Sequence, residues 1–180
     1  MADKIKIITG ELENSSAQVK DDKVKALIEQ VKSHKRIFVY GTGRSGLMLK
    51  AFAMRLMQLG LTAYVVGETT TPSVQKGDLL VVASASGETD SVVSAAAKAV
   101  KGGVDVFAIS GSHVSLLSKI VKPLVTIDSS TKFAKSAASA QPLGSLFEQV
   151  LLLYFDAVAF QMSEDAKSAD DMAKRHASIE

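Results

Sequence analysis

The chain contains no cysteine and no tryptophan among its 180 residues, only three prolines, and an aromatic content of 6%. Without cysteine, disulfides, thiolate nucleophiles, zinc ribbons and iron–sulfur clusters are excluded together, and a cytosolic setting is unopposed. The scarcity of aromatics removes the stacking platforms that single-stranded nucleic acid needs. Charge of one sign is also lacking: 21 basic and 19 acidic residues leave a net +2, too little to build a strong field for nucleic acid or a membrane surface. Long apolar runs are missing as well. The most apolar stretch, VLLLYFDAVAF (150–160), is too short to span a bilayer and carries Asp156. The first residues, MADKIKIITGELENSS, show none of the basic start, apolar stretch and cleavage site of a signal peptide. The expectation is a cytoplasmic protein.

What is present is a hydrophobic fraction of 47%, in a length suited to one domain with a substantial core. The apolar residues come in short runs separated by helical patterns. RIFVY (36–40), TAYVV (62–66), LLVVA (79–83), VDVFAIS (104–110) and PLVTI (123–127) read as five strands. Helical stretches lie after the first, third and fourth of these, the last a short one near SLLSKI, while 67–78 is a turn-rich loop. A helix is expected over about 14–34, with Val24, Leu27, Ile28 and Val31 at helical spacing, and further helices over about 144–176. Strands apolar throughout and joined by helices predict a parallel sheet covered on both faces, a three-layer αβα sandwich in a single domain over 1–180. The apolar 146–162 stretch has the character of an oligomer interface.

Two loops share a grammar of strand, small residues, then helix: GTGRSG (41–46) and SASGET (84–89). Glycines admit close approach of a ligand to the backbone, a helix start presents free N–H groups, and hydroxyls add donors without filling space. Arg44 adds a guanidinium suited to phosphate or carboxylate. SASGET also has a plain reading, in which Ser86 and Thr89 cap a helix and Glu88 suits its positive end. Two such loops on one predicted sheet edge favour a binding site for an anion. Glu88 would repel phosphate, so its side chain is expected to turn away or to meet sugar hydroxyls.

Gly41, Gly43 and Gly46 also satisfy G-x-G-x-x-G, and Glu68 stands after the second strand where a ribose hydroxyl would be held. That dinucleotide reading leaves SASGET unexplained and no residues for a substrate domain. The Walker motif fails, because Leu47 and Met48 stand where Lys and Ser/Thr are needed. In QPLGSLFEQ (141–149), Ser145 and Glu148 have capping-box spacing, and Glu148 is equally a candidate general base. His176, near the end, reads as a solvated side chain; His34 and His113 have no partners at metal-ligand spacing.

Taken together, GTGRSGLMLKAFAMRLMQLG, VVGETTTP, GDLLVVASASGET, QPLGSLFEQ and RHASIE resemble the 6-phospho-3-hexuloisomerases of the sugar isomerase (SIS) domain family, and their order runs through nearly the whole chain. The resemblance implies a five-stranded parallel sheet and a homotetramer arranged as a dimer of dimers. It implies interconversion of D-arabino-hex-3-ulose 6-phosphate and D-fructose 6-phosphate in the ribulose monophosphate route of formaldehyde fixation. No metal or organic cofactor is implied, the small-molecule partner is a sugar phosphate, and pathway coupling to hexulose-6-phosphate synthase is expected. Carried onto this sequence, Ser84, Ser86 and Thr89 would hold the phosphate, with Gly87 in the same loop and Ser45 nearby. Arg44 and Gly46 would shape the pocket, Glu148 would be the base, and His176 would reach a neighbouring subunit's site. Ala85 stands where such proteins often have glycine, which is tolerable while its φ stays negative. Alternatives are another SIS isomerase, such as one acting on arabinose 5-phosphate, and a non-catalytic sugar-phosphate sensor.

Overall fold

Every residue of LLVVAS is buried, which only a central strand flanked on both faces allows. The computed structural model describes residues 2–128, 139–165 and 168–178, so the first part of the small-residue loop before QPLGS lies outside the described residues. Its strands are β1 (Arg36–Tyr40), β2 (Thr62–Val65), β3 (Leu79–Ser84), β4 (Asp105–Ser110) and β5 (Val125–Thr126), all parallel, in the order β2-β1-β3-β4-β5. Strand order reverses between β1 and β3, the switch point at which open α/β sheets bind ligands beyond the carboxyl ends.

The helices are α1 (Ala2–Ser16), α2 (Asp21–Ser33), α3 (Gly43–Gln58), α4 (Asp90–Lys101), α5 (Leu116–Ile120), α6 (Ser145–Asp165) and α7 (Ser168–Lys174). Successive strand residues feed different cores, as the pleat requires. Ile37, Val39, Val81 and Ile109 pack with α2, α3 and α6, whereas Phe38, Leu80, Val82 and Ala108 pack with α4. On the α3 side, Phe52 and Phe155 stack at 4.3 Å between centroids and lock α3 to α6. Nine apolar residues of α6 are buried, from Leu146 to Met162, and α1, α2 and α3 pack against that helix. The apolar 146–162 stretch is therefore covered mainly by its own chain; Leu153 and Phe160 are its exposed large apolar residues.

Boundaries differ from the sequence reading by more than a single residue in three places. The helix expected over 14–34 is α2 from Asp21, preceded after a break at residues 17–20 by α1, which starts at Ala2, well before the expected range. Asp21 and Asp22 explain the break, since in the first turn of a new helix they meet its positive end. β5 shrinks to two residues because Pro123 has no N–H for the ladder, and pairing begins with Leu124 N–H donating to Ala108 O at 3.1 Å. α3 starts within GTGRSG, so Ser45 and Gly46 belong to its first turn.

Candidate active site

The turn from β1 into α3 is tight because two glycines meet inside it. A Cβ on Gly46 would lie 2.5 Å from Gly41 O, so no larger residue fits there. This packing draws the N-terminus of α3 up to the sheet and brings Thr42 and Ser45 to the mouth of β1. At the end of β3, Ser84 Oγ accepts the Gly87 N–H at 3.1 Å and pairs with Thr89 Oγ1 at 3.0 Å, folding SASGET back on itself. Gly87 takes φ of +67°, and a Cβ there would lie 2.3 Å from Ser115 Oγ. Ala85, at the position of the departure from the familiar pattern, is not among the positive-φ residues, and its carbonyl accepts the Gly111 N–H at 3.0 Å.

These turns enclose a cavity of about 210 Å³ lined by Thr42, Ser45, Ala83, Ser84, Ala85, Ser86, Thr89, Gly144 and Glu148. Helices α3, α4 and α6 all present their N-termini to it, through Thr42 and Ser45, Thr89, and Gly144 respectively. Neither Thr42 nor Thr89 makes a side-chain capping bond to its helix, so the free first-turn N–H groups and their partial positive charge act on the cavity. Glu88 points elsewhere: its Oε1 accepts the Leu116 N–H at 2.9 Å, at the start of α5. The carboxylate of SASGET is thus turned away from the cavity.

Glu148 is 6% exposed at the cavity wall. Arg44 Nη1 donates to its Oε2 at 3.3 Å, joining α3 to α6. The capping-box reading of Glu148 does not hold. Ser145 Oγ donates to Pro142 O at 2.8 Å and Glu148 N–H donates to Gly144 O, so the carboxylate is left facing the cavity and Arg44. The dinucleotide reading also loses its ribose ligand, because Glu68 Oε1 accepts from Lys50 Nζ at 2.5 Å.

Of the residues singled out from the sequence, Ser45, Ser84, Ser86, Thr89 and Glu148 line one cavity, with Arg44 joined through Glu148. Gly46 and Gly87 lie behind it as turn-formers. His176 is elsewhere: the adjacent Arg175 donates to Gln58 O at 3.1 Å, at the far end of α3. At about 1.5 Å per residue the 16-residue α3 separates that end from the cavity by about 24 Å. Thr42 and Gly144 were not singled out, although both lie inside the quoted motifs. Their signal was position, each directly before a helix start. Among the described residues, no group of three or more His, Asp or Glu side chains is arranged to hold a metal ion.

The SIS domain family description matches residues 30–152, more than half of the chain. The chain belongs to the SIS domain family. It is 39% identical over 176 residues to the 3-hexulose-6-phosphate isomerase of Bacillus subtilis (strain 168), covering 96% of this chain and 95% of that one. It is likewise 39% identical over 178 residues to the 3-hexulose-6-phosphate isomerase of Mycobacterium gastri, covering 98% and 89%. A solved Methanococcus jannaschii structure, from which a molecular function of 3-hexulose-6-phosphate isomerase was inferred, matches with a TM-score of 0.83 at 30% identity over 99% of each chain. The SIS resemblance read from the motifs is thus shown, together with the five-stranded parallel α/β fold. No helix of the described residues is long and apolar enough to cross a membrane.

Proposed function

We propose that this SIS protein is an isomerase that interconverts D-arabino-hex-3-ulose 6-phosphate and D-fructose 6-phosphate through an enediol. The observation that carries the reading is Glu148, a buried carboxylate in the wall of a cavity whose opposite side is hydroxyls and helix N-termini. Relatives named for this activity, at 39% identity over nearly the full chain, support the choice of substrate.

The phosphate is held by Ser84, Ser86 and Thr89 with Ser45, where donors and positive helix ends coincide. Glu148 removes the proton from C2, the C2–H electron pair forms the C2=C3 bond, and the C3 carbonyl oxygen takes up a proton. Return of a proton from Glu148 to C3, with loss of the O2 proton, moves the carbonyl to C2 and leaves the atom count unchanged. Arg44, bonded to Glu148, orients that carboxylate and is near enough to share the enediolate charge. His176 is assigned to a neighbouring subunit's site, as an acid or ring-opening group, since its own cavity is out of reach. Within this reading the protein acts in the ribulose monophosphate route of formaldehyde fixation.

Incubation with fructose 6-phosphate in deuterium oxide tests the reading. Deuterium at the exchangeable carbon with appearance of the 3-ketose is the expected result. Binding of fructose 6-phosphate without exchange would replace the enzyme by a sensor.

A further inference from the structure

Glu11 lies on α1, early in the chain, yet three donors from one distant stretch converge on its carboxylate. Oε1 accepts the Ala140 N–H at 2.6 Å, and Oε2 accepts Ser139 Oγ at 2.7 Å and Gln141 Nε2 at 2.9 Å. Gln141 N–H in turn donates to Ser139 Oγ at 3.0 Å, so residues 139–141 are wrapped around the carboxylate. Burial alone would raise the Glu11 pKa; the three donors outweigh it and hold the group below the usual carboxylate range.

Two residues beyond this clamp, Leu143 has φ of 58°, a left-handed conformation that no other non-glycine among the described residues adopts. Its side chain is 66% exposed, so packing of the side chain does not hold it there. Such a residue stays in place only when the chain on both sides over-determines it. On the carboxyl side, Ser145 N–H and Oγ both donate to Pro142 O, and Gly144 O accepts the Glu148 N–H. On the amino side the determinant is Glu11. Gly144, which follows directly, lines the cavity 3.9 Å (from where a Cβ would sit) from Glu148 Oε1.

We propose that Glu11 is a positioning residue for the reaction: by gripping residues 139–141 it fixes the Leu143 turn, and through it Gly144 and the first turn of α6 that carries Glu148. This rests on Glu148 being the base. A mere anchor of α1 on α6 has a different signature, because anchoring sets stability whereas the turn sets where the carboxylate meets the reacting carbon. The phosphate-holding hydroxyls lie on other elements and keep their geometry.

The test is steady-state kinetics with fructose 6-phosphate on the full chain, with thermal midpoints recorded alongside. Glu11→Gln keeps the shape but points an amide at other donors; kcat is expected to fall about tenfold with KM changed less than about twofold. Glu11→Asp should recover part of the loss. Leu143→Gly, which adopts positive φ without penalty, should restore kcat in the Glu11→Gln background although it touches neither carboxylate. Wild-type kcat in Glu11→Gln, or a loss shared by KM and thermal midpoint that Leu143→Gly leaves uncorrected, overturns the proposal. Should Glu11→Gln not fold, Ser139→Ala with Gln141→Ala opens the clamp from its other side and must give the same kcat loss. Glu148→Gln run in parallel keeps the two ideas apart. Full turnover there removes the base assignment, whereas loss there with normal turnover in Glu11→Gln overturns the positioning role alone.

Discussion

At the amino edge of the sheet, Arg36 at the start of β1 donates to both carboxylate oxygens of Asp78 at 2.8 and 2.6 Å, and the Gln75 N–H completes the set at 2.7 Å. His34 bridges Gln30 O at 2.7 Å and Asp105 at 2.9 Å in the same region. At the carboxyl edge of the same strands, hydroxyls and helix N-termini surround a cavity, and Glu148 has Arg44 at 3.3 Å, a longer contact to a half-exposed partner. One edge satisfies its charges internally and holds the strands in register. The other keeps donors and a carboxylate free to meet a ligand, at some cost in stability. Substitutions at the two edges should accordingly fall on different axes, stability at the amino edge and activity at the carboxyl edge.

Glu148→Gln gives the largest effect. Turnover should drop about a thousandfold, the scale of lost general acid–base catalysis, with little change in thermal midpoint because the amide keeps the volume and removes a buried charge. A large fall in melting temperature would erase the distinction between the edges. Asp78→Ala is the mirror case: about 3 kcal/mol of stability should be lost in urea unfolding, since Arg36 and the Gln75 N–H lose their acceptor, with kcat unchanged at a temperature where the variant is folded. Ser84→Ala should raise KM for fructose 6-phosphate about tenfold, the equivalent of one hydrogen bond to a charged group, with a smaller change in kcat.

The smallest effect is a pH dependence at the amino edge. Burial disfavours the charged form of His34, but the bonds to Gln30 O and Asp105 outweigh it and raise its pKa above the ordinary 6.5. A raised folded-state value means the protonated side chain stabilises the fold. That contribution is complete below the ordinary value and fades as pH climbs through the raised one. Urea midpoints measured from about pH 6 to about pH 8 should decline, and His34→Gln should flatten the slope. Asp78 behaves oppositely: burial pushes its carboxyl up, but Arg36 and the Gln75 N–H prevail and hold it low, so its contribution is lost only as pH falls through that lowered value.

How much of this was legible in the sequence follows the range of the interaction. Strands such as LLVVAS and the two small-residue loops are local patterns, and the structure has them where the pattern lies. Glu148 was ambiguous because the capping-box spacing from Ser145 is local, whereas the Arg44 contact that draws the carboxylate to the cavity spans 104 residues. Glu11 was invisible, since its partners lie more than 120 residues away and nothing near it marks the carboxylate as special. The break at residues 17–20 was missed because the helical spacing, from Val24 to Val31, lies wholly beyond it and marks no start; the acidic pair Asp21–Asp22 was the available signal.

The brevity of β5 sets a gradient of opening across the sheet. β5 is an edge strand held by little more than the amides of Leu124 and Ile127 on β4, whereas β3 is paired with β4 along its whole length and with β1 from Leu79 to Val82. In hydrogen–deuterium exchange the β5 amides should label early through fraying, and those of β3 last, near the global unfolding limit. Ser84, proposed above to hold the phosphate, ends the strand that opens last, so the sheet can breathe at its margin while that residue stays in place.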